Sequence, residues 1–324
     1  MATLAHDTHP TGAGPRAASG LGFALLSAAA FGLSGALARP MLEAGWSAGA
    51  TVLVRIGLGA LIVLPFGIHA LRGRWHLIRR NARLLTLYGV LGVAGAQFCY
   101  FSAVQYMQVG PAILIEFTAP AAVVVWLWLV HGQRPGAITL AGAAVAAFGL
   151  VLVLDLISGA DLSLAGVLWA LGAMVGAASY FLISGDDSTG LPPLSLAAGG
   201  LVVGAAVLGA LGLVGLLPMR ASTDSVVYAG NEVAWWVPLL LLGLVTAAIA
   251  YTLGIAAIRR LGSRLASFVA LTEVLASVLW AWVLLDELPR AIQLLGGLLI
   301  VIGVVGVKLG ERSTAHPEAT RLEI

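Results

Sequence analysis

The amino-acid sequence predicts an all-α integral membrane protein in which ten transmembrane helices form two inverted five-helix repeats. The first observation behind this prediction is composition: 60% of the residues are hydrophobic and 10% are charged, whereas soluble domains carry about 25% charged residues. The second is that the apolar residues form ten stretches long enough to cross a bilayer. The third is that Lys and Arg cluster on one side of those stretches, which predicts a fixed orientation.

The positions of the spans follow from the lengths of the apolar stretches. A membrane helix needs about 20 apolar residues to cross a hydrocarbon core of about 30 Å. Residues 84–115 carry no charge and are too long for one span, so Gly110-Pro111 predicts a break there, because proline fits the first turn of a new helix. We place the ten spans near 18–38, 47–69, 84–107, 110–130, 137–155, 163–184, 192–216, 234–257, 263–285 and 290–309.

The basic residues predict the orientation. With the N-terminus placed inside, the inner segments hold 13 Lys and Arg residues and the outer segments hold 3. Because inner loops are enriched in positive charge, we expect a multi-pass protein of the inner (plasma) membrane with both termini in the cytoplasm. Residues 1–17 and 310–324 are predicted to be disordered cytoplasmic tails, and the first of them lacks the apolar core of a signal peptide.

The chain contains an internal repeat. The stretch TAPAAVVVWLWLVHGQRP (118–135) aligns without a gap with TEVLASVLWAWVLLDELP (272–289) at an offset of 154 residues. We therefore divide the chain into a first repeat, 18–155, and a second, 156–309. Each contains five predicted helices, an odd number, so the second repeat is expected to be upside down relative to the first. Repeats of this kind place a substrate site near the middle of the membrane, between the two halves.

Several other classes of protein are disfavoured by composition. The net charge of +2 is local to loops and gives no support to nucleic-acid binding. Cys99 is the only cysteine, so a disulfide framework and a cysteine metal site are excluded. The sequence has no phosphate loop, CxxC or histidine metal motif, and no histidine in the middle of a span. We therefore predict no metal and no other cofactor, and a membrane-embedded enzyme is the weakest alternative.

Three charged residues lie deep in the predicted spans, where a charge is costly and usually faces a cavity or a partner. Glu273 is interpreted as a proton carrier or a contact for a substrate amine, with a structural hydrogen bond as the alternative. The repeat places Glu116 about one helical turn from the position equivalent to Glu273, so each half could present a carboxylate to one cavity. Arg55 could snorkel to the surface, pair with Glu43 or bind a substrate carboxylate, and we favour a structural role.

Other polar and aromatic side chains in the spans are further candidates for a substrate-binding site. They are Gln97, Tyr100, Trp169, Tyr180 and Tyr251. Gln97 and Tyr100 share one face of the third helix, and an aromatic ring with a polar tip suits an amphipathic metabolite. Each of the five can instead be a packing residue or an interface anchor. The tryptophans near helix ends predict an aromatic belt at the membrane surface: Trp126, Trp128, Trp280 and Trp282.

The two aligned stretches resemble the drug/metabolite transporter superfamily and, within it, the ten-helix EamA type. Each half has a tyrosine-containing helix, a short turn, an apolar helix that ends in a polar or acidic pair, a proline and a glycine-rich helix. Two positions depart from the family pattern: Val274 stands where a proline is common, and Gly132-Gln133 stands where Gly-Glu is common. The stretch AILIEFTAP (112–120) is similar to the corresponding part of bacterial threonine/homoserine exporters.

The resemblance implies secondary transport of small organic metabolites through a central cavity. We therefore expect a transporter that exports amino acids or related metabolites by alternating access, with protons as a candidate coupling ion and with Glu116 and Glu273 biasing the two states. Its partners would be a small-molecule substrate and the membrane lipids, and it would act as a monomer or a weak homodimer. The alternatives left open are a flippase for lipid-linked groups and a passive facilitator or channel.

Overall fold

Apolar helices dominate the structure, a computed structural model that describes residues 13–106, 109–132, 134–153, 163–286 and 291–314. One helix ends at Tyr106 and the next begins at Val109, so Gly110 and Pro111 lie in the first turn of a new helix, as expected. Residues 1–12 and 315–324 of the two predicted tails lie outside the described ranges. The first described helix begins at Ala13 and the last ends at Thr314, so helix extends into both segments that were predicted to be tails.

The described residues form fifteen α-helices. In chain order they are α1 (Ala13–Glu43), α2 (Ala48–Leu71), α3 (His76–Arg80), α4 (Ala82–Leu87), α5 (Ala96–Tyr106), α6 (Val109–Glu116), α7 (Ala119–His131), α8 (Ala137–Val153), α9 (Leu164–Gly185), α10 (Pro193–Leu213), α11 (Trp236–Leu241), α12 (Ala250–Leu261), α13 (Ser263–Val269), α14 (Thr272–Leu285) and α15 (Ala291–Thr314). A 3₁₀ turn covers Asp187–Thr189. Strands β1 (Val226–Tyr228) and β2 (Asn231–Val233) lie between α10 and α11.

Helix length and composition show a multi-pass, all-α membrane protein. Three shorter apolar helices lie within the fourth, fifth and tenth predicted spans: Ala119–His131, Ala137–Leu152 and Leu294–Val307. Large apolar side chains such as Leu61, Leu129 and Leu298 are exposed on the outside of the bundle, as expected of a surface that contacts lipid. Seven helices of the described part are long and apolar enough to cross a membrane: Ala17–Glu43, Ala48–Leu71, Ala82–Ala103, Leu164–Gly185, Pro193–Leu213, Trp236–Leu261 and Ser263–Leu285.

Two of the predicted spans are broken inside the bundle, at equivalent places in the repeat. In the fourth span, α6 ends at Glu116 and α7 begins at Ala119. In the ninth, α13 ends at Val269 and α14 begins at Thr272. Pro120, in the first turn of α7, explains the first break, because proline cannot continue the helix before it. The break divides each of these spans into two half-helices.

Two π-helical segments also recur with the spacing of the repeat. Tyr88–Gly95 joins α4 to α5, and Leu242–Ile249 joins α11 to α12. Each has 8 residues, and the second begins 154 residues after the first, which is also the offset between 118–135 and 272–289. The irregular helix is therefore a feature of the repeat, and segments of this type are frequent at functional sites.

Helices α8 and α15 pack closely through glycine. A Cβ added to Gly142 would lie 2.6 Å from the backbone nitrogen of Val307, and one added to Gly149 would lie 2.6 Å from the carbonyl oxygen of Gly296. Glycine lets the two backbones touch, and in lipid such close packing is a main source of helix association. The pair joins the fifth and tenth predicted spans, one from each half of the chain.

A methyl group at Gly303 should force α8 and α15 apart. A Cβ there would lie 2.5 Å from the backbone nitrogen of Ala146 and 2.6 Å from the carbonyl oxygen of Gly142, and backbone atoms cannot rotate away. We expect Gly303→Ala to lower the free energy of unfolding by about 1–3 kcal/mol, the usual cost of overpacking, seen as a lower melting temperature in detergent. The control is Gly57→Ala, because a Cβ on Gly57 meets nothing within 4 Å. An equal fall in both variants would contradict this packing.

A β-hairpin covers one end of the bundle. Strands β1 and β2 pair antiparallel, and the turn residues Ala229 and Gly230 have φ of 47° and 74°, as in the two-residue turns that hairpins prefer. The Tyr228 hydroxyl donates to the Leu37 carbonyl oxygen at 2.7 Å, and the Ala229 N–H donates to the Leu284 carbonyl oxygen at 2.8 Å. The hairpin therefore ties α1 to α14, which belong to different halves of the sequence repeat.

Candidate functional site

Two adjoining cavities lie inside the helix bundle. The smaller has a volume of about 90 Å³ and the larger a volume of about 230 Å³. Five residues line both of them: Phe31, Gln97, Glu116, Phe117 and Glu273. Both carboxylates singled out by the sequence therefore lie where the two cavities meet.

The cavities extend towards opposite ends of the bundle. The smaller reaches Ala24 near the start of α1 and Ile258 near the end of α12. The larger reaches Arg39 near the end of α1 and Leu285 at the end of α14, close to the β-hairpin. The carboxylates thus lie between two cavities that extend towards opposite ends of the bundle.

Helix breaks bring Glu116 and Glu273 to the cavities. Glu116 is the last residue of α6, and Glu273 lies in the first turn of α14. Irregular backbone inside a membrane is tolerated where it lines a cavity, and the start of a helix favours a nearby negative charge. Gly32 lets α1 approach α14 here, because a Cβ on Gly32 would lie 2.9 Å from the Glu273 carbonyl oxygen.

Arg55 is buried beside these carboxylates. It is 1% exposed and lines the larger cavity. Its Nη1 donates to Oε1 of Gln97 at 2.6 Å, and its Nη2 donates to the Thr246 carbonyl oxygen at 2.8 Å. Its charge interacts electrostatically with Glu116 and Glu273. Three charged groups therefore share one region of low dielectric, where such interactions are strong.

The second π-helical segment, Leu242–Ile249, supplies one of these contacts. In an α-helix the Thr246 carbonyl would accept a hydrogen bond from the Ala250 N–H. Here that N–H bonds to the carbonyls of Val245 and Ala247 instead. The altered pattern leaves the Thr246 carbonyl accessible to Arg55, so the irregular helix helps to hold the buried cation.

Two of the roles considered for Arg55 are wrong. Snorkelling would place the guanidinium at the membrane surface, whereas the whole residue is buried. Glu43 is hydrogen-bonded to Nε of Arg39 at 3.1 Å, so it does not serve as the partner of Arg55. The hydrogen bonds to Gln97 and Thr246 agree with the structural role we favoured, and the position of Arg55 on the cavity leaves the third role, contact with a substrate carboxylate, open.

Aromatic rings form one wall of the smaller cavity. Phe31, Tyr180 and Tyr251 line it, and the ring of Tyr251 meets Phe31 and Tyr180 edge-on, with centroids 5.0 Å and 5.6 Å apart. Tyr88 stacks on Tyr180 at 6.1 Å. A Cβ on Gly254 would collide with the Tyr180 hydroxyl, so a glycine at that position allows the Tyr180 ring to take its place in the wall.

The structure brings most of the predicted site residues together. Gln97 lines both cavities, Tyr100 the larger, and Tyr180 and Tyr251 the smaller. Trp169 lies elsewhere: it is 36% exposed on the outside of α9, with its ring edge-on to Phe98 at 5.6 Å. Helix α9 is apolar all round, so its sequence does not indicate which face is turned inward.

The tryptophans predicted to form an aromatic belt divide into two groups. Trp126, Trp128 and Trp282 are exposed on the outside of the bundle, as a belt requires. Trp280 instead donates its indole N–H to the Ala29 carbonyl oxygen at 2.9 Å. It therefore packs α14 against α1.

The first helix contributes residues that the sequence analysis did not select. Ser27 lines the smaller cavity and donates its hydroxyl to the Ala250 carbonyl oxygen at 2.8 Å. Ala24, Ala28 and Phe31 line the same cavity. These four residues have the spacing i, i+3, i+4, i+7 of one helix face. This pattern of small residues with one aromatic ring was the sequence signal that could have identified them.

Replacing Trp169 should leave the transport activity that the sequence predicts intact. Its ring lies outside the cavities and contacts Phe98, so Trp169→Ala removes packing without changing the cavity wall. We expect the variant to melt at a lower temperature and to retain a transport rate within about twofold of the wild type, because energetic effects of distant sites are usually independent. A loss of transport in folded Trp169→Ala would mean that substrate contacts the outside of α9.

Comparison with known proteins agrees with this architecture. The sequence matches the EamA-like transporter family twice, over residues 18–155 and 164–309. It is 28% identical over 296 residues to the Threonine/homoserine exporter RhtA of Salmonella typhimurium (strain SL1344), covering 89% of this chain and 90% of that protein. It is 27% identical over 295 residues to the exporter of the same name from Escherichia coli (strain K12), covering 89% of each.

A solved crystal structure shares the fold. It superposes with a TM-score of 0.70 at 22% sequence identity, covering 94% of this chain and 99% of the other. The two matches to one family account for most of the sequence, one in each half. The chain belongs to the EamA-like transporter family.

Proposed function

We propose that this protein is a secondary transporter that exports small amino acids, with the two central cavities as its binding site. The observation that carries the proposal is that Glu116 and Glu273, at equivalent helix breaks, line the same cavities. Ionisable residues inside a membrane usually mark a substrate or ion pathway, and many transporters bind substrate at broken helices. The names of the relatives, threonine/homoserine exporters, suggest the substrate class and the direction.

The proposed architecture is ten spans in two inverted halves, 18–155 and 156–309. Seven long and three short apolar helices at the predicted positions support the number of spans. The equivalent helix breaks and π-helical segments support the repeat. The excess of basic residues on one side supports an inner-membrane protein with both termini in the cytoplasm. One chain holds both halves, so a monomer suffices and a weak homodimer is compatible.

The cavity residues divide into two proposed roles. Glu116 and Glu273 would receive the ammonium group of an amino acid, because carboxylates form strong charge-assisted hydrogen bonds. Gln97, Tyr100 and Tyr251 would contact the rest of the substrate with hydrogen-bonding groups, and Tyr180 would complete the aromatic wall. The larger cavity, at about 230 Å³, has room for several waters that a small solute would replace.

Protons are the proposed coupling ion. When fully ionised, Arg55, Glu116 and Glu273 carry one positive and two negative charges in a buried region, where an unbalanced charge is costly. One proton balances the three groups. A carboxyl group that takes up a proton from one side and gives it to the other would couple the proton gradient to export.

A second candidate function is the movement of a lipid-linked group. A groove of about 1060 Å³ runs between α4, α7 and α9. Exposed apolar side chains such as Leu87, Trp126 and Val175 line it, and Ser179 and Asp187 supply polar groups. An acyl chain would fit the apolar part while a headgroup met the polar part.

Transport by purified protein in liposomes tests the proposal. Liposomes loaded with unlabelled L-threonine or L-homoserine should accumulate the labelled amino acid by counterflow, saturably and independently of lipid composition. A pH gradient should drive net transport. Absence of counterflow for any amino acid, together with faster movement of a labelled lipid between leaflets, would overturn the proposal in favour of the lipid-linked alternative.

A further inference from the structure

Arg55 has a charge that no protein group neutralises by direct contact. Its two hydrogen bonds go to uncharged acceptors, the Gln97 amide oxygen and the Thr246 carbonyl. Its Nε–H is buried and has no partner. Among the described residues no carboxylate is in ion-pair contact with it. Glu116 and Glu273 act on this charge without being in hydrogen-bond contact with it, so the guanidinium keeps a buried donor without an acceptor, which is costly and which a purely structural tie does not require.

The larger cavity brings Arg55 together with both carboxylates. Arg55 lines that cavity together with Glu116 and Glu273. The cavity therefore presents a cation and two carboxylates to the same volume. A purely anionic solute would be repelled by the carboxylates, and a simple amine would be repelled by Arg55. A solute that carries both charges on neighbouring atoms matches the cavity at both ends.

We propose that Arg55 binds the α-carboxylate of a zwitterionic amino acid while Glu116 and Glu273 face its ammonium group. This inference rests on the proposed transport of amino acids and assigns the group that makes the site selective for a free carboxylate. A guanidinium suits the task because its planar N–H groups match a carboxylate and remain charged when buried. Gln97 and Thr246 hold the guanidinium in place, so Arg55 loses little freedom when the substrate binds.

Competition by carboxylate-modified analogues tests this in the wild-type protein. Counterflow of labelled L-threonine is measured in liposomes with unlabelled L-threonine, L-threoninamide or 1-amino-2-propanol as competitor. The amide and the amino alcohol keep the amine but lack the carboxylate, so each should compete at least about 10²-fold less well, as expected when a buried polar group loses its partner. Equal competition by L-threoninamide would overturn the assignment of Arg55.

Variants then identify the residue that recognises the carboxylate of the substrate. In Arg55→Gln the preference for L-threonine over L-threoninamide should collapse to within about threefold, and Arg55→Lys should retain part of it, because a single ammonium binds a carboxylate less specifically. Arg220→Gln is the matched control, since Arg220 is exposed outside the cavity, and its preference should equal that of the wild type. An unchanged preference in Arg55→Gln would assign carboxylate recognition to another group.

The outcomes separate this inference from the proposed function. If wild-type protein catalyses no amino-acid counterflow, the proposed function fails and this inference fails with it. If L-threonine exchanges but the amide competes equally, only the role of Arg55 fails. Should Arg55→Gln not fold, the analogue ranking in the wild type still decides the proposal.

Discussion

Glu273→Gln is expected to abolish transport driven by a pH gradient while counterflow exchange of the amino acid continues. Glutamine has nearly the same shape as glutamate and keeps a hydrogen-bonding group, but it does not carry a proton at that position. Exchange requires that substrate still binds, for which Glu116 remains opposite the ammonium group, and that the loaded protein changes state. Coupled transport also requires the proton. The loss of pH-driven flux should be on the order of 10²-fold, as for other proton-transferring side chains.

The control for Glu273→Gln is Glu232→Gln, which makes the same chemical change at an exposed residue of the hairpin. Both variants are reconstituted at equal density, and labelled L-threonine is followed with and without a pH gradient. Glu232→Gln should behave like the wild type in both conditions. Normal pH-driven flux in Glu273→Gln would show that another group carries the proton.

Arg259→Gln is expected to open the smaller cavity. Nε of Arg259 donates to the Ser184 carbonyl oxygen at 2.6 Å, and its Nη1 pairs with Asp187, so it ties the end of α12 to the end of α9. The Asp187 side chain is largely exposed, which makes that ion pair weak. The bond to Ser184 is charge-assisted and shielded, and its loss should cost about 1.5 kcal/mol, a shift of roughly tenfold towards the open state.

The shift can be measured with a single cysteine. Cys99, the only native cysteine, is replaced by alanine, and Ala24 on the smaller cavity is replaced by cysteine. A water-soluble thiol reagent should label this cysteine about tenfold faster in Arg259→Gln than in the parent. Arg80→Gln, at an exposed arginine, should leave the rate unchanged. Equal rates in all three proteins would mean that Arg259 does not close the cavity.

Much of the fold follows from the sequence because a membrane leaves the backbone few choices. Every backbone polar group must be bonded within the chain, so long apolar stretches become helices. The breaks inside the fourth and ninth spans are harder to foresee. Pro120 marks the first of them, but the equivalent residue in the second half is Val274, which does not interrupt a helix. Only the alignment of 118–135 with 272–289 points to the second break.

The β-hairpin was not predicted, although its turn carries a local sequence signal. Val226–Tyr228 and Asn231–Val233 flank Ala229-Gly230, a two-residue turn of the kind that hairpins favour. The strands are too short to show a convincing alternation of apolar and polar residues. Their stability comes from long-range contacts, such as the bond from Tyr228 to Leu37, which sequence periodicity does not contain.

The free-energy cost of a charge inside the membrane makes part of the candidate site predictable. The direction in which a side chain points does not follow from the sequence. Glu116 and Glu273 stand out because a charge in lipid must be compensated. The inward direction of Arg55 depends on how α2 packs and on an irregular turn at Thr246, and neither is encoded in local spacing. The same applies to Trp169, which faces outward although its residue type suits a binding site.

Protection of a cavity cysteine by substrate tests the central claim most directly. In the Cys99→Ala background, Ser277 on the larger cavity is replaced by cysteine, and its rate of thiol labelling is measured with and without saturating L-threonine. A cysteine at exposed Ser188, outside both cavities, serves as the reference. The account predicts that L-threonine slows labelling at 277 by about tenfold or more and leaves labelling at 188 unchanged. Equal labelling at 277 with and without L-threonine would contradict the claim that small amino acids bind between Glu116 and Glu273.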